Sequence, residues 1–139
     1  MPHARRIRGD DYARLLAVRT GLRRFEHWSA ERAAEHGLTA SQHQLLLAVR
    51  GHDEAHGPTI GQIADYLFIR HHSAVELVDR TEHAGLVVRS RDETDHRVVR
   101  LRLSERGARV LASLTTVHLE ELERLTPLFE SMLGTLAAG

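Results

Sequence analysis

The stretch that decides the fold is residues 85–107, GLVVRSRDETDHRVVRLRLSERG. Its arms, LVVRSR and RVVRLRL, are rich in β-branched residues and alternate apolar with polar side chains, which is the pattern of half-buried strands. The polar, acidic residues between the arms favour a turn, so the stretch predicts a two-stranded hairpin. On the second strand, alternation separates a buried face from a solvent-facing one. The buried face is expected to hold Val99, Leu101 and Leu103, and the other face Val98, Arg100 and Arg102.

Four helices are predicted before this hairpin. Apolar residues recur at helical spacing from about residue 10 to 35, and Gly37 ends that helix. Thr39 and Thr59 are each followed three positions later by Gln, the capping-box pattern that opens a helix. The fourth helix is expected to begin near Arg70 or His71 and to stop at Gly85.

After the hairpin, a long helix is predicted from Ser104, and Thr126-Pro127 is expected to begin a separate last helix, with Thr as its cap. The fold class is therefore mainly α with a small β-hairpin. Two short helices in tight succession before a hairpin make the winged helix-turn-helix arrangement, here with flanking helices.

Length and composition limit the function. A chain of 139 residues makes about one domain. The net charge is zero, but all 19 basic residues are Arg, and nine of them lie in residues 70–109 against seven acids. There is no Cys, which excludes disulfides and thiolate metal sites, and no apolar run approaches a membrane span. The expected location is therefore cytoplasmic, without a membrane partner.

The sequence resembles the MarR family of bacterial transcription regulators. Three further segments match its helices in order: LTASQHQLLLAV (38–49), TIGQIADYL (59–67) and LVDRTEHAGLV (77–87). The family's wing pattern is matched in residues 85–107 by Asp95, Arg97, Leu101, Leu103, Ser104 and Gly107.

This resemblance implies one domain over residues 1–139, with a winged helix-turn-helix at about 38–107. Dimerisation helices are implied at about 10–36 and 104–137. The implied protein is a homodimer that grips one DNA duplex at a pseudo-palindromic operator. Many relatives are repressors that release DNA when a small, often aromatic, ligand binds between the two regions.

The hairpin tip carries the first DNA-binding candidates. Arg97 is predicted to enter a narrow minor groove, and Asp95 to hold its guanidinium in a bidentate pair. His96 lies where relatives often carry a second Arg, which weakens the tip's positive charge. Phosphate contacts are expected along the strands from Arg89, Arg91 and Arg100, and also from Arg102. A solvated strand face is the alternative for these arginines.

The fourth helix carries the second set. Ser73 and the two His are suited to donate hydrogen bonds to bases or phosphates, Val75 to touch a thymine methyl group, and Glu76 to accept from cytosine N4. Ordinary surface or capping positions are the alternative. The predicted DNA-facing residues of this helix are Arg70, His71, His72, Ser73, Val75 and Glu76.

Phe25, Trp28 and His43 are the candidates for an inducer pocket, since such pockets are apolar with a few polar groups. Packing in a dimer core is the alternative for the two aromatic residues. A metal-sensing regulator using histidines such as His43 and His118 is a second reading, although no thiolate is present.

A small metal-dependent hydrolase built on the loop GHDEAHG (51–57) is the remaining enzyme hypothesis. The chain has no nucleophile elbow and no phosphate-binding glycine loop, so no catalytic residue, cofactor or metal is assigned and no enzymatic activity is predicted. A protein that merely shapes DNA, without response to a ligand, is also left open.

Overall fold

The computed structural model describes residues 4–53 and 55–137, with side chains described as far as residue 134. Helices make up most of this part of the chain, and a single antiparallel hairpin interrupts them. The elements in chain order are α1 (Gly9–Glu35), α2 (Ala40–Gly51), α3 (Ile60–Leu67), α4 (His71–His83), β1 (Val87–Arg91), β2 (Val99–Leu103) and α5 (Glu105–Ala137).

The two predicted capping boxes begin α2 and α3. The Thr39 hydroxyl accepts from the Gln42 N–H at 3.1 Å, while the Gln42 side chain accepts from the Thr39 N–H at 3.0 Å. Thr59 and Gln62 repeat this reciprocal pair at 3.2 and 2.9 Å. Each box satisfies two of the backbone donors that a helix start leaves without an intrahelical partner. The predicted starts of both helices are therefore confirmed.

The predicted break at Thr126-Pro127 is wrong, because α5 runs through it as one helix. The Thr126 hydroxyl does not cap a new helix but donates to the Leu122 carbonyl of the preceding turn at 2.7 Å. Pro127 lacks the N–H that would reach the carbonyl of Glu123, and Glu123 is exposed, so water can satisfy that oxygen. The helix loses one internal hydrogen bond and continues.

A third extended segment, at Gly57 and Pro58, joins the hairpin to the rest of the chain. Strands β1 and β2 pair from Val87 opposite Leu103 to Arg91 opposite Val99. On the far side of β2, the Leu101 N–H donates to the Pro58 carbonyl at 2.9 Å. Gly57 has φ +77°, and a Cβ there would lie 2.1 Å from the Leu101 oxygen. Glycine is therefore required where this segment crosses the strand.

Two hydrophobic clusters share α2. Leu45 packs with buried residues of α3, α4 and β2, which form the core of the winged helix-turn-helix. Leu46, its neighbour in sequence, packs in a second cluster with Ala33 of α1 and Leu114 of α5. Because α2 contributes to both, it joins the outer helices to the winged unit.

The outer helices keep several large apolar side chains at the surface. Leu15 and Leu22, which belong to the apolar stripe of α1, are about half exposed. We call this set of side chains the apolar seam; its members are between 43% and 69% exposed. They are Tyr12, Leu15, Leu16 and Leu22 of α1, and Leu119, Leu122, Leu128 and Leu133 of α5.

Within residues 4–53 and 55–137, no helix combines the length and the hydrophobicity needed to span a bilayer.

Candidate nucleic-acid interface

Helix α4 presents a polar surface at its N-terminal end. Ala74, Leu77 and Val78 are buried against the core, which turns the opposite face of the helix outward. His71 and Glu76 are exposed on that face. The exposed group also includes Arg70 and His72, while Ser73 and Val75 are partly exposed. Free backbone N–H groups and the helix dipole make such an N-terminus attractive to anions.

Arg97 projects from the hairpin tip, and Asp95 holds it. The Arg97 Nε lies 3.1 Å from Asp95 Oδ1, and its Nη2 lies 3.3 Å from Oδ2, so the predicted bidentate pair is formed. The Arg97 backbone N–H also donates to Asp95 Oδ1 at 3.1 Å. These hydrogen bonds, first that of the guanidinium, lower the pKa of Asp95. The Arg97 side chain is nevertheless 91% exposed.

The pair arises from the geometry of a turn. The Val98 N–H donates to the Asp95 carbonyl at 3.0 Å, which closes a four-residue turn with Arg97 at its third position. Strand β2 accordingly begins at Val99 and not at Arg97. The carboxylate of Asp95 therefore restrains both the backbone and the side chain of Arg97.

Asp92 organises the base of the same turn, a role that the sequence analysis missed. Its Oδ2 accepts from the Thr94 hydroxyl at 2.6 Å and from the N–H groups of Thr94 and Asp95 at 3.1 and 2.9 Å. Its Oδ1 accepts from the Arg100 Nε at 2.8 Å. The hydrogen bonds from Thr94 and Arg100 hold the pKa of Asp92 far below its usual range. An Asp in a polar segment is the local signal of such a turn, because its carboxylate can accept from the backbone N–H two residues on.

The expectation that Arg100 faces solvent is wrong. Its side chain is only 20% exposed, because it lies between Asp92 and the carbonyl of Gly57, to which Nη1 donates at 3.0 Å. Arg100 thus links the hairpin tip to the segment before α3. Arg102, two residues on, is exposed as predicted.

The Asp92 carboxylate has two roles, which are to accept from the N–H groups of the turn and to hold Arg100, and substitutions of Asp92 separate them. Asp92→Asn keeps an oxygen for the turn N–H groups but removes the charge that holds Arg100, so we expect the melting temperature to fall by about 3 °C. Asp92→Ala removes both the acceptor oxygen and the charge, so it should lower the melting temperature further. Differential scanning calorimetry measures both changes, with Glu93→Gln, at the exposed neighbouring acid, as the control. Equal melting temperatures for Asp92→Ala and the unsubstituted chain would contradict the assigned role.

Arg89 and Arg91 also make contacts within the protein. The Arg89 guanidinium pairs with Asp79, and its Nε lies 3.3 Å from Glu82, so it connects β1 to the outer face of α4. Arg91 is exposed and donates from Nη1 to the His96 carbonyl at 2.7 Å. The phosphate contacts predicted for these arginines remain predictions, and for Arg89 they compete with two carboxylates.

The three residues predicted to line an inducer pocket, Phe25, Trp28 and His43, lie in two different places. Phe25 and Trp28 line an open cleft of about 870 Å³ between α1 and α5. Apolar side chains make most of the remaining wall, and Arg24, Arg124 and Glu121 supply charge. His43 does not line this cleft; it is buried on α2 and faces the ring of His118 at a centroid distance of 4.7 Å.

His118 connects the two places. Its ring lies edge-on to Trp28 at 4.9 Å. Its Nδ1 is 2.7 Å from the Leu114 carbonyl, which can only accept, so Nδ1 carries a proton. In the neutral ring, Nε2 then accepts from the Ser29 hydroxyl at 2.7 Å. Burial, then the neighbouring His118 and His36, lower the pKa of His43 to about 4.

This shift predicts how stability depends on pH. The unfolded chain protonates His43 near pH 6.5, whereas the folded chain resists protonation until about pH 4. Neutral His43 therefore contributes fully to stability above pH 6.5. This contribution is lost as the pH falls towards 4, which lowers the free energy of unfolding by on the order of 2–3 kcal/mol. Urea unfolding at pH 7.5 and 4.5 measures it. His43→Gln should show a smaller difference between the two pH values; an equal difference would exclude His43 as the cause.

The structure gives no grouping of three or more His, Asp or Glu side chains able to hold a metal ion within the residues it describes. In the loop of the hydrolase hypothesis, the His52 Nδ1 is 2.7 Å from the Tyr66 hydroxyl, and His56 is exposed. Glu54 lies outside the described residues.

The sequence is similar to known proteins over part of its length. The sequence profile of the MarR family matches residues 36–98. An uncharacterized HTH-type transcriptional regulator of Bacillus subtilis, YsmB, is 33% identical over 73 residues, which are 52% of this chain and 48% of YsmB. The match thus spans about half the length of that relative.

Solved structures resemble the chain over nearly all of its length. A MarR family protein from Bacillus stearothermophilus has a TM-score of 0.74 at 24% identity, covering 96% of this chain and 97% of its own. AbsC from Streptomyces coelicolor has 0.73 at 18%, covering 97% of both chains. The S. aureus MepR–DNA complex has 0.70 at 19%, covering 86% of both. The predicted winged helix-turn-helix fold is confirmed.

Three features of the chain agree with the MarR family: the profile match across α2 to the hairpin tip, the order of the elements, and the fold of the solved neighbours. Proteins of this family are transcription regulators and not enzymes. Residues 36–98 of the chain thus match the MarR family, and the chain has the fold of solved MarR family structures over nearly its whole length.

Proposed function

We propose that this protein is a sequence-specific DNA-binding transcription regulator that acts as a homodimer. The observation that carries the proposal is Arg97, which is 91% exposed at the hairpin tip while Asp95 restrains its guanidinium. An exposed cation held at the end of a ribbon is suited to a narrow minor groove. S. aureus MepR, which shares the fold, has been solved as a DNA complex.

The exposed N-terminal face of α4 would lie in the major groove. Ser73, Val75 and Glu76 offer a hydroxyl, an apolar surface and a carboxylate to base edges, while Arg70 and the two His lie where phosphates would approach. Few side chains of α4 can therefore contact base edges directly, and those side chains are short. We infer that the hairpin contributes a large part of the affinity and α4 most of the sequence preference.

The homodimer is proposed from the apolar seam. Its leucines belong to the two longest helices and are about half exposed, although buried leucines stabilise a protein far more than exposed ones. A second copy of the same helices would cover them and place two α4 helices on one face of a duplex. Half-sites one helical turn apart, about 34 Å, would then be read together.

Binding to DNA selected from a random pool by the full-length protein tests the proposal. We expect one symmetric motif to be enriched and its affinity to fall by about 10³-fold or more between 50 and 200 mM salt. Footprinting on the selected duplex should show a bounded site. Uniform protection would favour a protein that only shapes DNA, and no selective binding at low salt would contradict the regulator.

A ligand-responsive repressor is the finer form of the proposal, and the cleft beside Phe25 and Trp28 supports it. An aromatic carboxylate would stack on these rings and meet Arg24, with Arg124 already paired to Glu121. Such a ligand should raise the melting temperature of the unsubstituted protein and not of Trp28→Ala. If aromatic acids leave both melting temperatures unchanged, this cleft is not an inducer site.

A further inference from the structure

Phe68 combines two unfavourable features. Among residues 4–53 and 55–137, it alone carries a side chain at a positive φ, 55°. It is also 96% exposed, so its ring gains nothing from the protein core. Left-handed backbone is normally left to glycine because a Cβ is strained there. Strain that the fold does not need is found at functional sites, and an observed outlier is a ground for asking what the site binds.

The backbone at Phe68 has a defined purpose, but the ring does not. The Phe68 and Ile69 N–H groups donate to the carbonyls of Asp65 and Ala64 at 3.4 and 3.1 Å, which ends α3 in a Schellman motif. Glycine would make the same two hydrogen bonds with less strain. The aromatic side chain is therefore not explained by the turn that it occupies.

The position of the ring relates it to DNA. Phe68 precedes the first residue of α4, His71, by three residues, so their Cα atoms lie within about 11 Å of each other. Arg70 and His71, the first of the predicted DNA-facing residues, follow Phe68 closely in the chain and are exposed, and the N-terminus of α4 attracts phosphate. A ring at this end would meet the edge of the major groove.

We propose that Phe68 makes an apolar contact with a thymine methyl group at the edge of each half-site, an inference that rests on the proposed DNA-binding function. The thymine methyl is the apolar group that the major groove exposes, and aromatic side chains are among its known partners. Phe68 thereby adds a preference for thymine beside the polar positions read from α4.

Phe68→Gly tests this without the risk of misfolding. Removal of an exposed ring costs no packing, and glycine relieves the left-handed strain, so the melting temperature should stay the same or rise by up to about 3 °C. Affinity for the selected duplex should nevertheless fall by about 16-fold, from two symmetry-related methyl contacts of about fourfold each. Phe68→Asn, which also tolerates this backbone, should behave alike.

Deoxyuridine scanning identifies the contact, since each substitution deletes one thymine methyl and nothing else. The unsubstituted protein should lose about fourfold in affinity at one thymine in each half-site, and Phe68→Gly should be indifferent there while keeping its response at other thymines. Equal affinity of the two proteins, or equal sensitivity at every thymine, would overturn the contact while leaving the regulator intact. Absence of any selected duplex would instead overturn the regulator, and the contact with it.

Discussion

Arg97→Ala should reduce affinity for the selected duplex by about 100-fold while leaving the fold unchanged. The side chain is exposed and packs on nothing, so its removal costs little stability. In a homodimer two such contacts are lost, each worth about 1–3 kcal/mol when an Arg is held in place at a groove. Fluorescence anisotropy at fixed salt measures the loss, and Arg109→Ala, an exposed arginine of α5, controls for the change in charge.

Asp95→Ala completes this experiment. Without its carboxylate, Arg97 must be immobilised on binding, which costs about 0.5–1.5 kcal/mol per side chain. We therefore expect a loss of about tenfold for the dimer, well short of that of Arg97→Ala. If Asp95→Ala binds as tightly as the unsubstituted protein while Arg97→Ala does not, the orienting role of Asp95 is wrong and the minor-groove role of Arg97 survives.

Leu128→Arg should abolish both dimerisation and DNA binding. Leu128 is 55% exposed on α5 and lines the cleft that α1 and α5 form. In the proposed dimer, an arginine there would place an unpaired charge on each side of an apolar contact, and an uncompensated buried charge costs about 3–5 kcal/mol. The dimer dissociation constant should rise by at least about 10³-fold. Sedimentation equilibrium should give 15.7 kDa in place of about twice that mass.

Leu47→Arg is the matched control for this prediction. Leu47 is 51% exposed, almost as much as Leu128, but lies on α2 outside the apolar seam. The same charge at the same exposure should leave the dimer and its DNA affinity intact. If both variants stay dimeric, the seam is not the interface; if both become monomers, the loss is not specific to it.

The elements that could be predicted from the sequence are those with local signals. Reciprocal Thr–Gln caps specify the starts of α2 and α3 through atoms four residues apart or fewer. Alternation specifies the strand faces, since it depends only on the pleat of the backbone. The Asp95–Arg97 pair was also predictable, because the two residues lie two positions apart in one turn.

What the sequence did not predict depends on distant partners. Arg100 looked exposed from its strand position, but its guanidinium is taken by Asp92 across the turn and by the Gly57 carbonyl 43 residues earlier. Pro127 suggested a break, yet one lost hydrogen bond is too little to end a long helix packed along its length. No local pattern signals a phenylalanine in left-handed backbone, because that conformation normally belongs to glycine.

The neighbouring leucines of α2 bear on how the whole chain melts. Leu45 belongs to one hydrophobic cluster and Leu46 to the other, and Leu103 at the end of β2 packs against both. Neither cluster can lose α2 without exposing the other, so we expect the winged unit and the outer helices to unfold together. A molecule that stabilises the outer helices therefore also suppresses local opening of the hairpin, and amide exchange in β1 and β2 should slow when it binds.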